Sequence, residues 1–468
     1  MLLNPTFIKL NKIPLGLILL NLILYCFFSY DLVRTEYLKL IIFYALLFVL
    51  FYQLVKRLKN NLQLLTYISF GFRAAFILAI PNLSQDFYRF IWDGRIILEG
   101  LNPYLYTVEY FINEGEFPIA QAQELREGMG VLNASHYTNY PPINQLCFII
   151  AGLFAGKSIL GAVIVMRLII IAADFGTLYF GKRLLEKLRI PAHNIFWYIL
   201  NPFIIIELTG NLHFEGVMIF FLVWSLYLLY TGKWQWAAVV LALSISVKLI
   251  PLIFLPLFFQ WFMKFKEGGA KDSTSLNLIR LVVFYAIVVI VTIVLFLPFY
   301  SPEFINNYSE TVALWFQNFE FNASIYYIAR AIGYTFRGYN EIAIIGKIIP
   351  IVIFIITLII TFFRRNKSII ELITAMLLVL SIYYFTTTTV HPWYIATLLI
   401  LSVFTKYKFP LVWSFVIILS YLAYINLNKA DKSENLYIIA LEYAIVYGVF
   451  IWEVFIKKAP EKELLNHS

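Results

Sequence analysis

The chain has 468 residues, of which 61% are apolar and 13% charged, with a mean hydropathy of +0.80 and a formal charge of +9. A water-soluble domain carries about 45–50% apolar and about 25% charged residues, so a soluble enzyme, a disordered chain and a disulfide scaffold are excluded. The positive charge reads as basic loops held at the cytoplasmic face, where Lys and Arg accumulate, and not as a nucleic-acid surface.

Lys9 and Lys12 precede an apolar run from Pro14 to Tyr30 with no small-residue cleavage site after it, which reads as a retained first helix. Stretches of about 18–20 apolar residues are membrane helices. Taken along the chain, they predict about fourteen segments, at 14–30, 38–55, 63–81, 159–180, 194–208, 214–231, 235–249, 250–264, 277–298, 341–362, 368–386, 392–405, 410–427 and 435–456. Several are short and carry Pro202, Pro251, Pro256 or Pro392, as expected of broken helices around a protein-walled cavity. The expectation is one all-α polytopic membrane domain over 1–468, with two long outer-face loops at about 82–158 and 299–340. The basic stretches 56–59, 182–189, 264–271, 364–367 and 406–408, with both termini, then share the cytoplasmic side of an inner membrane. Residues 141–155 are kept as a juxtamembrane or re-entrant helix on the outer face, since a crossing there would move 182–189 outside. Cys26 and Cys147 lie far apart in apolar stretches and read as small buried residues.

Ionisable residues gather in the outer loops and turns. In Gln85-Asp86-Phe-Tyr-Arg89-Phe-Ile-Trp-Asp93-Gly94, a helix places Asp86, Arg89 and Asp93 on one face. A carboxylate there can act as a general base and an arginine can hold a phosphate; the bland reading is an ion pair that seats the loop. Glu207, Asn211, His213 and Glu215 cluster at an outer turn, suited to substrate binding or to capping a helix. Asn-x-His-x-Glu can also bind a divalent cation, but the spacing is no specific metal signature, so no metal or other cofactor is assigned. Lys248 sits amid apolar residues, where it either snorkels to the interface or meets an anion such as a lipid phosphate. His391 can donate to a phosphate oxygen, and Trp393 and Tyr394 can stack on a sugar or serve as interfacial belt residues. Asn139-Tyr140-Pro141-Pro142 reads as a rigid turn, with Tyr140 a further substrate-binding candidate. Arg73, Arg167 and Asp174 are intramembrane charges able to pair between helices. The tripeptides at Asn82, Asn133 and Asn322 match glycosylation acceptors, which arise often by chance.

The order of these motifs resembles a known family. An outer-loop Asp-x-Tyr-Arg with Trp-Asp-Gly and Gly-x-Asn-Pro-Tyr is followed by Tyr-Pro-Pro, an Asn-Pro helix, Asn-x-His-x-Glu, Lys-x-x-Pro and His-Pro-Trp-Tyr. Over about residues 63–405 the chain is similar to integral-membrane glycosyltransferases of the GT-C superfamily, and most to bacterial polyprenyl-phosphate-mannose-dependent mannosyltransferases. The resemblance implies a GT-C-type bundle in the lipid bilayer and a polyprenyl-phosphate sugar donor. It implies a glycolipid, glycan or protein acceptor and an acidic base in the first outer loop. Asp86 matches that base, with Asp93 in reserve; Lys248 and His391, with Arg89, suit the donor phosphate. The chain departs from the pattern in two extra helices before the loop and in a single Asp at 86. The rival readings are a transporter or flippase of a lipid-linked sugar, and an accessory subunit that keeps the fold without transfer.

Overall fold

A computed structural model describes residues 12–263, 274–428 and 434–457. The basic stretches at Lys9, at 264–271 and beyond Lys457 lie outside them. The described chain is helical, and its one strand-like pairing is an isolated bridge between Phe321 and Thr389. It is a multi-pass membrane protein. Among the described residues seven helices are long and apolar enough to cross a bilayer: Lys12–Tyr30, Tyr37–Leu58, Ile159–Lys187, Leu276–Phe299, Ile342–Phe363, Ile369–Thr386 and Leu436–Ile456. A bent pair, Pro202–Gly210 and Glu215–Tyr230, meets at 115°. Shorter apolar helices occupy Pro142–Ala155, Trp234–Ile245, Ile250–Met263, Pro392–Val403 and Phe409–Leu422.

The all-helical expectation holds; among the described residues the count of fourteen crossings is not confirmed. The shorter segments have local causes. Pro251 and Pro256 lack the N–H that a regular helix would use, and the chain runs as a tight three-residue-per-turn helix over Ile250–Leu257. The expected segment 63–81 is helical only over Leu62–Ala74 and then unwinds. Cys147 is buried as expected, but Cys26 is exposed on the outside of the first helix.

Burial separates a lipid-facing shell from a centre. In their most apolar windows Leu276–Phe299 is 17% buried and Ile369–Thr386 67% buried, so the second runs through the middle of the bundle. Two buried arginines fix that centre. Arg73 Nε meets Asp174 Oδ2 at 2.7 Å, and its Nη1 donates to the carbonyls of Ser69 and Ile199 at 3.0 and 2.8 Å. Arg167 does not join that pair. Its guanidinium donates to the carbonyls of Thr209, Gly210 and Ile77 at 2.8–2.9 Å. The last carbonyls of a helix have no partner within it, so Arg167 caps the half that ends at Gly210. Leu212, in the break, holds a positive φ of 62°.

The long loop expected over about 82–158 is a packed helical layer. Its helices are Asp86–Leu98, Val108–Asn113, Ala122–Ser135 and Pro142–Ala155. A Cβ placed on Gly94 would lie 2.3 Å from the Phe148 carbonyl oxygen. The glycine of Trp-Asp-Gly therefore lets the first and last of these helices touch backbone to backbone. The Gly-Leu-Asn-Pro-Tyr motif stitches this layer to the second long loop. Asn102 Nδ2 donates to the Phe299 carbonyl at 2.9 Å, Asn307 Nδ2 to the Tyr104 carbonyl at 3.0 Å, and the Tyr104 hydroxyl to the Tyr140 carbonyl at 2.5 Å.

Candidate active site

A cavity of about 770 Å³ opens beneath the helical layer that begins at Asp86. Its walls are of two kinds. One end is polar, with Asp86, Asn133, Asn139, Tyr140, Glu215, Lys248, Thr389, His391 and Tyr394. The other is an apolar wing of Leu252, Ile253, Leu255 and Pro256 facing Pro350, Ile353 and Phe354. The wing lies between the tight helix Ile250–Leu257 and the membrane helix Ile342–Phe363. A second cavity of about 270 Å³ adds Arg34, Ser84, Gln85 and Tyr421. Asp86, Leu132, Asn133, His391 and Trp393 line both.

Asp86 is the first residue of its helix and stands at the junction of the two cavities. Asn133 Nδ2 donates to its Oδ1 at 3.4 Å. Burial raises the Asp86 carboxyl above the ordinary range, and the charge of Lys248 and the Asn133 hydrogen bond oppose that rise. A more basic carboxylate beside an open space suits proton abstraction.

Lys248 Nζ is 3.2 Å from Glu215 Oε1 and lies 5.0 Å from the centre of the Tyr140 ring. The lysine is thus held by charge and by a π face, as a cation desolvated at a cavity wall requires. Glu215 keeps one oxygen, Oε2, buried without a hydrogen-bond partner among the described residues. Such an acceptor is costly unless a ligand hydroxyl or water meets it.

His391 is set by stacking. Its ring lies parallel to Trp393, centroids 4.6 Å apart, and near-parallel to Phe321 at 5.2 Å. His213 stacks on Trp393 at 3.6 Å. Two imidazoles that close and that nearly parallel would overlap on one face, so they cover opposite faces of the indole. Both imidazoles thus stack on the Trp393 indole, which competes with the sugar stacking expected from sequence, while Trp393 still lines both cavities. Burial, with the positive charges of Lys248 and Arg34, pushes His391 down to about 3. It meets a ligand as a neutral imidazole. A strap over residues 319–324 holds the loop before it. Phe321 N–H donates to the Thr388 carbonyl at 3.1 Å and Val390 N–H to the Phe321 carbonyl at 2.9 Å. The strap is pinned at Asn322, a non-glycine residue at φ 46°. Its N–H donates to Glu434 at 3.0 Å, its Nδ2 to Glu442 at 3.3 Å, and its carbonyl accepts from the Tyr443 hydroxyl at 2.8 Å.

Arg89, Asp93, Asn211 and His213 lie off the cavity. Arg89 Nε meets Asp93 Oδ1 at 2.8 Å, both buried. Asp93 Oδ2 accepts from Thr138 at 2.5 Å and from Gln145 at 3.2 Å, while Arg89 Nη1 donates to the carbonyls of Asn133 and His136. This is the ion pair that seats the loop, with no access for an acceptor or a phosphate. Asn211 accepts from Leu83 N–H at 3.1 Å and donates to the Ile206 carbonyl at 3.1 Å, which caps the broken helix. His213 packs behind Trp393 with its Nε2 3.9 Å from Glu207.

Sequence reading missed Arg34 and gave Asn133 only as a glycosylation match. Arg34 sits between the first two long helices, its guanidinium 5.6 Å from the Tyr421 ring. No local pattern separates it from an ordinary loop charge. Among the described residues no three His, Cys, Asp or Glu side chains gather at metal-holding geometry.

Comparison with known proteins bears on this site. The chain is 22% identical over 196 residues to an alpha-(1->6)-mannopyranosyltransferase A of Mycobacterium tuberculosis, covering 42% of this chain and 36% of the relative. It is 23% identical over 210 residues to the protein of the same name from Corynebacterium glutamicum, covering 43% and 40%. The chain thus matches well under half the length of these curated relatives. A family model described as "Alpha-(1->6)-mannopyranosyltransferase, N-terminal domain" matches residues 25–264, which hold Asp86, Tyr140, Glu215 and Lys248. On that match, over more than half of its length, the chain belongs to the MptA_B family of alpha-(1->6)-mannopyranosyltransferases.

Proposed function

We propose that the chain is a mannosyltransferase that moves a mannosyl unit from a polyprenyl-phosphate donor to a hydroxyl of an envelope glycolipid, glycan or protein. The observation that carries this reading is the placement of Asp86 at the junction of the two cavities. One cavity has an apolar wing suited to an isoprenoid chain, and the other is smaller and more polar. The donor enters from the bilayer between Ile250–Leu257 and Ile342–Phe363, and its phosphate meets Lys248 and His391. The acceptor hydroxyl approaches Asp86 from the side of Arg34 and Gln85.

In the reaction Asp86 takes the hydroxyl proton as the acceptor oxygen attacks the anomeric carbon. The new C–O bond forms while the bond from that carbon to the phosphate oxygen breaks, with inversion. The electron pair leaves on the lipid phosphate. Lys248 is the cation that compensates the developing charge, and neutral His391 supplies an N–H donor. Glu215, released as Lys248 turns to the phosphate, accepts a sugar hydroxyl on its unpartnered oxygen. Tyr394 and Tyr140 close the space around the ring. The basic loops face the cytoplasm in this reading and the site faces outward from the inner membrane.

The test is transfer in liposomes from a labelled polyprenyl-phosphate mannose, with mass spectrometry of the product. Asp86→Asn should fold and lose transfer; near-normal turnover would remove Asp86 as the base. Movement of labelled lipid between leaflets without product would instead favour the flippase reading.

A further inference from the structure

The helix Ile325–Arg337 follows directly on the strap and is unlike the other outer-face helices. Ile325, Ile328, Ile332 and Phe336 recur at i, i+3, i+7 and i+11, so they share one stripe. All four are exposed, Ile328 by 62% and Phe336 by 82%. The other side carries Tyr326, Tyr327 and Gly333, which are buried against the protein. Two arginines flank this inner side, and both are paired, Arg330 with Glu320 and Arg337 with Glu341.

Several observations say what covers the stripe. Thirteen residues make a helix about 20 Å long, too short for a hydrocarbon core of about 30 Å. The helix ends at Gly338, whose φ of 75° turns the chain sharply, and four residues after Arg337 the membrane helix Ile342–Phe363 begins. Tyr326 hydroxyl donates to Asn340 Oδ1, which accepts in turn from Ile342 N–H, so the turn is rigid. The exposed apolar surface continues across it to Ile344, Ile348 and Ile351 on the membrane helix. Tyr334 and Tyr339 are exposed beside the turn, where interfacial aromatic residues settle.

We propose that Ile325–Arg337 is an interfacial helix lying flat in the bilayer surface, with its Ile325–Ile328–Ile332–Phe336 stripe immersed at the boundary of headgroups and acyl chains. The occupant of the stripe is lipid. Because both arginines already have carboxylate partners, apolar burial and not attraction to anionic lipid seats the helix. The strap that begins it is bonded to Thr388 and Val390, so the helix also fixes the depth of the His391 loop relative to the membrane surface. The proposal is independent of the transferase reading.

Site-directed spin labelling tests it without a substrate. In a Cys26→Ser background, single cysteines replace Ile325, Ile328, Ile332, Tyr334 and Phe336, and the labelled full-length protein is placed in neutral phosphatidylcholine vesicles. Collision with oxygen and with a water-soluble nickel chelate then reports depth. The expected result is one shared shallow depth at the four stripe positions and strong chelate access at Tyr334. Equal chelate access at all five positions, or a depth that climbs steadily from Ile325 to Phe336, would overturn the proposal. Photo-crosslinking of unmodified protein by a lipid carrying its reactive group near the headgroup covers any labelled variant that misfolds. Adducts within 325–336 support the proposal, and their absence while 342–363 is labelled overturns it.

Discussion

Two ion pairs near the cavity are built from the same chemistry and behave as opposites. Arg89–Asp93 is sealed: every contact of the pair leads to Thr138, Gln145 or a loop carbonyl, and neither side chain meets open space. Lys248–Glu215 is half open: its lysine is one quarter exposed, and one glutamate oxygen has no hydrogen-bond partner among the described residues. A sealed pair holds a scaffold in place. An open pair can exchange one partner for a ligand. Asp86 belongs to the open class, although it lies two turns before Asp93 on the same helix.

Substitutions can break this contrast, and the sealed pair should respond most. Arg89→Met leaves Asp93 buried without its cation, which costs about 3–5 kcal/mol of stability. Loss of the monodisperse species in detergent, or a steep fall in unfolding temperature, would show it. Asp86→Asn should leave unfolding unchanged and lower transfer by about 10²–10⁴-fold, the usual span for a positioned general base.

Lys248→Met should come next, with a raised KM for the lipid-phosphate donor and a smaller fall in kcat. It also gives a signed pH test. Burial raises the Asp86 carboxyl, so the acid limb of kcat/KM should lie above the ordinary carboxylate value of about 4. The lysine charge favours the ionised form of Asp86; its removal makes the proton harder to lose, and the acid limb should move to higher pH. His391, held neutral, should add no limb between pH 5 and 8. Trp393→Leu should have the smallest effect. Loss of a stacking surface worth about 0.5–1.5 kcal/mol predicts about a two- to tenfold fall in kcat/KM. A much larger loss would mean that Trp393 touches substrate after all.

Much of this contrast is hidden from sequence. Hydropathy located the long helices within a few residues, because length and apolarity alone decide them. It does not settle the number of crossings, because Trp234–Ile245 and Phe409–Leu422 are apolar yet short and largely buried within the bundle. Helical spacing put Asp86, Arg89 and Asp93 on one face, yet no spacing rule says which carboxylate is closed over by Thr138 and Gln145, residues about fifty positions away. Lys248 and Glu215 were legible separately as costly charges, but not as partners. Trp393 looked like a sugar platform because sequence shows an aromatic side chain and not what covers its faces. Arg34 gave no signal, since its relation to Asp86 exists only after the first hairpin packs on the outer layer.

Asn322-Ala-Ser324 reads as an acceptor for N-linked glycan, but in the folded chain the Asn322 amide is fully buried and spent on Glu442. Glu434 and Tyr443, which complete its surroundings, emerge from the ribosome more than a hundred residues later. In a eukaryotic expression host that set this strap on the lumenal side, the residue would be open to the glycosylation machinery only until the helix Leu436–Ile451 docks. Glycan occupancy at Asn322 would count the molecules whose last helix arrived too late.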